Sequence, residues 1–263
     1  MEDVQSRPDT RGVVIDRAGI KDLRYPITVL DRIEGKQQTV GIVSASVSVP
    51  AATKGTHMSR FLEVLNDHVG EMTLNTIPII LRDMRDRLEA DAAYLEVHFT
   101  YFLTRTAPVS GASGLMDYEC WFKGSDDMSG ERFQLGVTTP VTSLCPCSKE
   151  ISDYGAHNQR GYISIEIESA PDDEGGPSLV WIEELIGWAE EAASCPVYPV
   201  LKRPDERHVT MQAYDNPVFV EDMVRGVAVA LESDARIASY RIEARNQESI
   251  HNHDAFAAVY SAG

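Results

Sequence analysis

The sequence predicts an α+β fold in which antiparallel β-sheets carry α-helices on one face. Segments with the alternating polarity of strands and segments with the 3.6-residue apolar period of helices follow one another in the order ββααββ. This order occurs twice along the 263 residues. Hairpins with helices inserted between them favour antiparallel sheets over the strand–helix alternation of parallel sheets. We therefore predict two tandem ββααββ units.

The first predicted unit covers residues 23–127 and follows an N-terminal arm at 1–22. Its first two strands flank a turn at Glu34–Lys36, as in a hairpin. The apolar period then predicts two amphipathic helices, and two more strands complete the unit. The predicted strands are 25–33, 38–50, 93–105 and 115–123, and the predicted helices are 58–70 and 76–90. A polar stretch at 124–131 is expected to link the two units.

The second predicted unit covers residues 128–263. Ile163, Ile165 and Ile167 alternate with polar residues, which is typical of a half-buried strand. Asn216 and Pro217 resemble the N-cap and first residue of a helix. The predicted strands are 132–143, 161–169, 237–246 and 254–261, and the predicted helices are 178–192 and 217–232.

Composition excludes several classes of protein. The formal net charge of −17 argues against general nucleic-acid binding, which needs a basic surface. No apolar run is long enough for a transmembrane helix, and the polar N-terminus lacks the apolar segment of a signal peptide. We therefore expect a cytoplasmic location, where four cysteines are thiols or metal ligands rather than disulfides. A small anionic ligand needs only a local basic cluster, for which the candidates are Lys54, Arg60, Lys149, Arg160, Lys202 and Arg203.

The segment 140–161 carries the clearest chemical signal, because it holds Cys145, Cys147 and His157 within a turn-rich stretch. Cysteine and histidine are the ligands that zinc prefers, and a loop can bring Cys145 and His157 to one point. Pro146 favours an extended Cys145, and in an extended segment the two cysteine side chains point opposite ways. At most one of them is then expected to be a ligand. The alternative is a small buried cysteine beside a structural histidine.

Six segments together resemble the family of type IB GTP cyclohydrolases, which are metal-dependent. The resemblance covers most of the chain. The segments are KGTHMSRF (54–61), PVTSLCPCSKEIS (140–152), GAHNQRG (155–161), CPVYPVLKRPDERHVT (195–210), AYDNPVFVEDMVR (213–225) and NQESIHNHDA (246–255).

The resemblance implies the tunnelling fold of tandem ββααββ units, a homotetramer, and conversion of GTP and water to 7,8-dihydroneopterin triphosphate and formate. It also implies a divalent metal, zinc or manganese, on Cys145, His157 and Glu206. Glu221 matches the residue that anchors the guanine, and Glu248 and His251 match residues that line the active site. We further expect subunits to join at their sheet edges, with active sites at the interfaces.

The chemistry explains these residue types. Opening the imidazole ring of GTP needs activated water at C8, which a metal with three protein ligands and an open position can supply. A proton must reach a ring nitrogen, for which His251 is the first candidate and Glu248 and His253 are weaker ones. For the triphosphate, the basic candidates are Arg60, Lys149, Arg160 and Lys202. Two alternatives remain: a tunnelling-fold NADPH-dependent nitrile reductase of queuosine synthesis, and a non-catalytic zinc-stabilised domain.

Overall fold

A computed structural model describes residue 5 and residues 7–68 and 70–261. Within these residues the chain forms nine strands and six helices. The strands are β1 Ile15–Asp31, β2 Gly35–Val49, β3 Ala93–Thr106, β4 Ser113–Asp127, β5 Gly130–Leu144, β6 Asn158–Ser169, β7 Cys195–Pro196, β8 Ile237–Gln247 and β9 Ala255–Tyr260. The helices are α1 Met58–Asp67, α2 Thr76–Leu88, α3 Pro146–Ile151, α4 Ile182–Glu191, α5 Arg203–Asp215 and α6 Val220–Glu232.

Hydrogen bonds order the strands as β1-β2-β3-β4-β5-β6-β8-β9, and the short β7 pairs with β5. The registers of β1 with β2, of β2 with β3, of β6 with β8 and of β8 with β9 are all antiparallel. The α+β class with an antiparallel sheet is therefore confirmed.

The chain separates into two compact units that are discontinuous in sequence. Unit 1 comprises the residues up to Thr100 together with Trp121–Leu135 and Pro171–Leu179. Unit 2 comprises Tyr101–Cys120, Gly136–Ala170 and the residues from Val180 onward. The tandem division of the sequence at residues 127 and 128 stays a prediction.

In unit 1, α1 packs on β1 and α2 packs on β2. β1 begins at Ile15, so the last part of the predicted N-terminal arm belongs to this strand. Its pairing with β2 is irregular after Ile15 and after Ile20, and Asp22 has a positive φ of 58°. These bulges interrupt the alternation of buried and exposed positions, which explains why periodicity alone missed this part of the strand.

The stretch 124–131, expected to be a linker, is also mostly strand. β4 continues to Asp127 and β5 begins at Gly130, so the connection is a tight turn. Gly130 has a φ of 107°, a backbone conformation that residues other than glycine rarely adopt. Composition suggested a linker because glycine and aspartate are common in turns and linkers alike.

In unit 2, α4 packs on β6, and α6 packs on β8 and β9. The predicted alternation in β6 is confirmed, because Ile163, Ile165 and Ile167 are fully buried. Tyr162 and Ser164 point to the opposite face and line a cavity of about 700 Å³. Helices α4 and α6 therefore cover one face of these strands, and the cavity lies on the other.

The second half contains two helices and a strand that the ββααββ pattern does not include: α3, α5 and β7. Only Asp205 and Ala213 of α5 are buried, so this helix lacks the apolar face on which prediction depends. The predicted start of α6 was wrong. Phe219 is its N-cap, whereas Asn216 caps the C-terminus of α5 and its side chain donates to Ala193 O at 2.9 Å.

No helix in the described part of the chain combines the length and the apolar composition needed to span a membrane.

Candidate active site

The site begins where β5 ends. Cys145 follows Leu144 in the extended conformation that Pro146 favours, with φ −71° and ψ 120°, and it is the N-cap of α3. Ser148 N lies 3.5 Å from the Cys145 sulfur. Cys147 is exposed on the short helix, whereas Cys145 is half-buried. The expected strand-like alternation of the two cysteines was wrong because α3 starts between them, but they do differ in exposure.

The chain after α3 folds back and places His157 beside Cys145. Cys145 N donates to His157 O at 3.1 Å. Ser148 Oγ donates to Cys145 O at 3.1 Å and accepts from His157 N at 3.2 Å, so one hydroxyl joins both ends of the loop. The expectation that this loop brings Cys145 and His157 together agrees with this geometry.

The His157 ring connects to the C-terminal end of β8. His157 Nδ1 lies 2.8 Å from Gln159 Oε1 and 3.2 Å from Ser249 Oγ. Gln159 Nε2 donates to Glu248 Oε1 at 3.1 Å. Gln159 therefore links Glu248 to His157 through two hydrogen bonds. His251 follows in an exposed segment, where its ring stacks on His253 with centroids 5.3 Å apart.

Glu221 is held near this strand end through the segment that precedes α6. Val218 N donates to Leu144 O at 3.2 Å, and Ser143 Oγ donates to Val218 O at 3.2 Å. Glu221 lies exposed in the first turn of α6, two residues after Phe219. The residue before Cys145 is thus bonded directly to the segment that leads into the Glu221 helix.

Glu206 is not joined to Cys145 and His157. Lys149 Nζ donates to Tyr214 O at 2.5 Å and lies 4.3 Å from the centre of the Tyr214 ring, so the C-terminal end of α5 faces α3. Glu206 is exposed in the first turn of α5, about 12 Å from Tyr214 along the helix axis at 1.5 Å per residue. Within the described residues, no group of three or more His, Cys, Asp or Glu is arranged to hold a metal ion.

The remaining basic candidates have different surroundings. Arg60 belongs to unit 1, where its Nη1 donates to Arg87 O at 2.8 Å near the C-terminus of α2. Lys202 precedes α5 and is exposed. Arg160 is exposed and lines the cavity of unit 2, on the face opposite Gln159. Within unit 2, Arg160 and Lys202 therefore lie in surroundings that differ from those of His157.

The cavity of unit 2 has a mixed charge. Its lining carries two arginines and three carboxylates: Arg160, Arg245, Asp117, Glu119 and Glu243. Tyr162 lies under the Arg245 guanidinium, 5.7 Å from ring centre to Cζ. Arg160 and Arg245 are the groups in this cavity that could hold an anion.

Asp205, next to Glu206, fixes the start of α5, and the sequence analysis did not predict this role. Its side chain is fully buried, although it stands in a polar sequence. Oδ1 accepts from Val109 N and Ser110 N, both at 2.8 Å, and Oδ2 accepts from Ser110 Oγ at 2.6 Å and Lys202 N at 2.8 Å. This carboxylate thus fixes the start of the helix that carries Glu206. The available signal was an acidic residue three positions after Lys202, the N3 position of a helix start.

Comparison with known proteins identifies relatives over nearly the whole chain. The family model described as type I GTP cyclohydrolase folE2 matches residues 1–257. GTP cyclohydrolase FolE2 of Syntrophotalea carbinolica is 48% identical over 259 residues, which cover 98% of this chain and 94% of that protein. GTP cyclohydrolase FolE2 of Nitrosomonas eutropha is 50% identical over 260 residues, with coverage of 98% and 94%.

Solved structures show the same fold at low sequence identity. A uricase from Arthrobacter globiformis is similar with a TM-score of 0.54 and 9% identity, covering 93% of this chain and 92% of that chain. A uricase from Bacillus fastidious is similar with a TM-score of 0.54 and 10% identity, covering 96% and 94%. The predicted tunnelling fold, which these proteins share, is confirmed.

Asp205 makes stability depend on acid pH. Burial alone raises its pKa, but the hydrogen bonds from Ser110, Lys202 and Val109 outweigh burial and hold the pKa well below its usual range. Near pH 4 the Asp205 carboxylate therefore binds a proton in the unfolded chain but not in the folded chain. This contribution to stability is present above about pH 4 and is lost as the pH falls through the lowered pKa.

We expect Asp205→Asn to lower the free energy of unfolding at pH 7 and to flatten its decline between about pH 4 and pH 2. Urea unfolding at a series of pH values measures both effects. Asp215→Asn, an exposed change at the other end of α5, serves as the control and should stay within about 0.5 kcal/mol of the unmodified protein. An Asp205→Asn protein with an unchanged acid profile would contradict this role.

Proposed function

Since the chain belongs to the type I GTP cyclohydrolase family of the folE2 kind, we propose that it converts GTP and water to 7,8-dihydroneopterin triphosphate and formate. This is the first step of tetrahydrofolate and pterin biosynthesis. The observation that carries the proposal is the hydrogen-bonded group of Cys145, His157, Gln159 and Glu248, which joins metal-binding residue types to a carboxylate. Neither a nitrile reductase nor a purely structural zinc domain is favoured by the relatives.

We propose a divalent metal, zinc or manganese, because Cys145 and His157 are residue types that bind such ions and lie side by side. Cys145 offers a sulfur, and His157 offers Nε2 because its Nδ1 is engaged by Gln159. We propose Glu206 as the third ligand on the family resemblance. When bound, such a metal activates water and polarises the purine.

The other residues of the site handle protons and orientation. We propose that Glu248, which accepts a hydrogen bond from Gln159 after the end of β8, accepts or returns a proton during the reaction. His251, three residues further on, is the proposed donor to the ring nitrogen as the imidazole opens. Its exposed position leaves it accessible to substrate.

Glu221 is the proposed anchor of the guanine. Guanine presents N1–H and the 2-amino group as adjacent donors, and a carboxylate accepts both in a bidentate pair. The first turn of α6 is a rigid support for this carboxylate, and the bonds from Val218 and Ser143 tie that support to the strand that leads into Cys145.

The triphosphate needs cationic partners, for which we propose Arg60, Lys149, Arg160 and Lys202. Lys149 lies four residues after Cys145, and Arg160 lines the cavity of unit 2. The two residues lie on different elements, α3 and β6, so we propose that they serve different parts of a long anion.

We propose a homotetramer that joins subunits at their sheet edges and places active sites at the interfaces. β1 and β9 lie at the two ends of the strand order, and an open edge strand favours pairing with another chain. Phe256 and Tyr260 on β9 are 70% and 66% exposed, which a partner strand would cover. We also propose a cytoplasmic location, which suits four cysteines that are all free thiols.

Purified protein loaded with zinc or manganese and incubated with GTP should release formate and a product that becomes fluorescent neopterin after oxidation and dephosphorylation. ATP serves as the control substrate and should give neither product. Absence of both products from a metal-loaded, folded oligomer would refute the proposed activity.

Cys145→Ala should abolish metal retention and turnover while leaving a folded oligomer, because it removes the sulfur ligand. Cys147→Ala is the matched control, since this cysteine is exposed on α3, and we expect it to keep most of its metal. Metal content after dialysis and the rate of formate release measure both variants. Full metal content and full turnover in Cys145→Ala would remove Cys145 from the site.

Glu221→Gln keeps the shape of the side chain but replaces one acceptor and the charge. We expect kcat/KM for GTP to fall by up to about 10⁴-fold with the metal content intact, because a site built for polar pairs discriminates on that scale. Asp222→Asn, at the next position of the same helix turn, is the control for local folding. Normal turnover, or loss of metal instead, would show that Glu221 is not the anchor.

A further inference from the structure

Gln159 lies between two residues of the proposed active site and is only 8% exposed. Its Oε1 is 2.8 Å from His157 Nδ1, and its Nε2 is 3.1 Å from Glu248 Oε1. The register of β6 with β8 pairs Arg160 with Gln247, which places Gln159 opposite Glu248 at the next position. The strand pairing next to it therefore brings Gln159 and Glu248 together, and the two hydrogen bonds hold the amide between Glu248 and His157.

The oxygen of an amide accepts hydrogen bonds and its NH₂ group donates them. This difference determines which ring nitrogen of His157 carries the proton. An ionised carboxylate only accepts hydrogen bonds, so the NH₂ of Gln159 faces Glu248. The carbonyl Oε1 then faces His157 and can only accept, so His157 Nδ1 must donate. In the neutral ring the lone pair is consequently on Nε2.

Ser249 supports the same arrangement from β8's end. Its hydroxyl lies 3.2 Å from His157 Nδ1 and 3.5 Å from Gln159 Oε1. A hydroxyl can donate to Oε1 and accept from Nδ1–H, so it is compatible with this tautomer.

We propose that Gln159 is a positioning residue that fixes His157 as the Nδ1–H tautomer, so that the Nε2 lone pair would be available to the proposed metal, and that it links Glu248 to His157. This inference rests on the proposed metal-dependent function and adds a coupling to it. Metal-binding histidines depend on the partner of their second nitrogen, and loss of such a partner typically costs about 10- to 100-fold in metal affinity.

Two substitutions test the hydrogen bonds at the two ends of the Gln159 amide separately. Gln159→Leu removes both hydrogen bonds and should weaken zinc and cobalt binding by about 10- to 100-fold. Gln159→Glu keeps an acceptor for His157 but faces Glu248 with a second carboxylate. It should bind metal about as tightly as the unmodified protein, yet lose roughly 10²-fold in kcat, the lower end of a general acid–base contribution.

Metal affinity is measured by chelator competition, and the visible absorption of the cobalt form reports ligand geometry independently of turnover. Gln212→Leu, an exposed change on α5, is the control and should leave affinity, spectrum and kcat unchanged. Thermal unfolding confirms that each variant is folded, and Gln159→Glu tests the proposal even if Gln159→Leu does not fold.

Two outcomes would overturn the role of Gln159. One is a folded Gln159→Leu protein with undiminished affinity and an unchanged cobalt spectrum. The other is a loss of metal affinity of about 10- to 100-fold in a folded Gln159→Glu protein, which keeps the acceptor for His157, so that packing rather than this hydrogen bond would be responsible. His157→Ala distinguishes this failure from failure of the metal site itself: undiminished metal binding in that variant would refute the metal site, whatever Gln159 does.

Discussion

The candidate site depends on one hydroxyl. Ser148 Oγ donates to Cys145 O and accepts from His157 N, so it closes the loop that joins the end of β5 to the start of β6. With the direct bond from Cys145 N to His157 O, it replaces the solvent contacts that these backbone groups would otherwise need. Together these bonds hold Cys145 and His157 side by side at the adjacent ends of the neighbouring strands β5 and β6.

The pairing of β6 with β8 extends the site from this loop to the C-terminal part of the chain. Side chains on paired strands alternate between faces, so a register shift of one residue would move Gln159 away from Glu248 and Arg160 away from the cavity. The buried isoleucines of β6 prevent such a shift, because it would expose Ile163, Ile165 and Ile167 to solvent. The hydrophobic core of unit 2 thus sets the geometry of a polar network at its edge.

Charge in this protein is organised locally rather than overall. A chain with a net charge of −17 would repel a triphosphate if its charges were evenly spread. Individual cations instead have specific partners. Lys149, for example, donates to the carbonyl of Tyr214 at the C-terminal end of α5 and lies over the Tyr214 ring. The buried Asp205 shows the reverse case, a carboxylate kept ionised by backbone donors at the start of the same helix.

The sequence by itself determined the α+β class, most of the strands and four of the six helices found in the described residues, because alternating and 3.6-residue apolar patterns survive in any sequence that must bury one face. It also predicted that the turn-rich segment between Cys145 and His157 folds back, which agrees with the bond from Cys145 N to His157 O. Only the tertiary structure decided that α5 is a helix, that Asn216 ends it, that Ser249 meets His157, and that Glu248 bonds to Gln159. The last two contacts join positions about ninety residues apart, and no local pattern carries the pairing of two strands that distant in sequence.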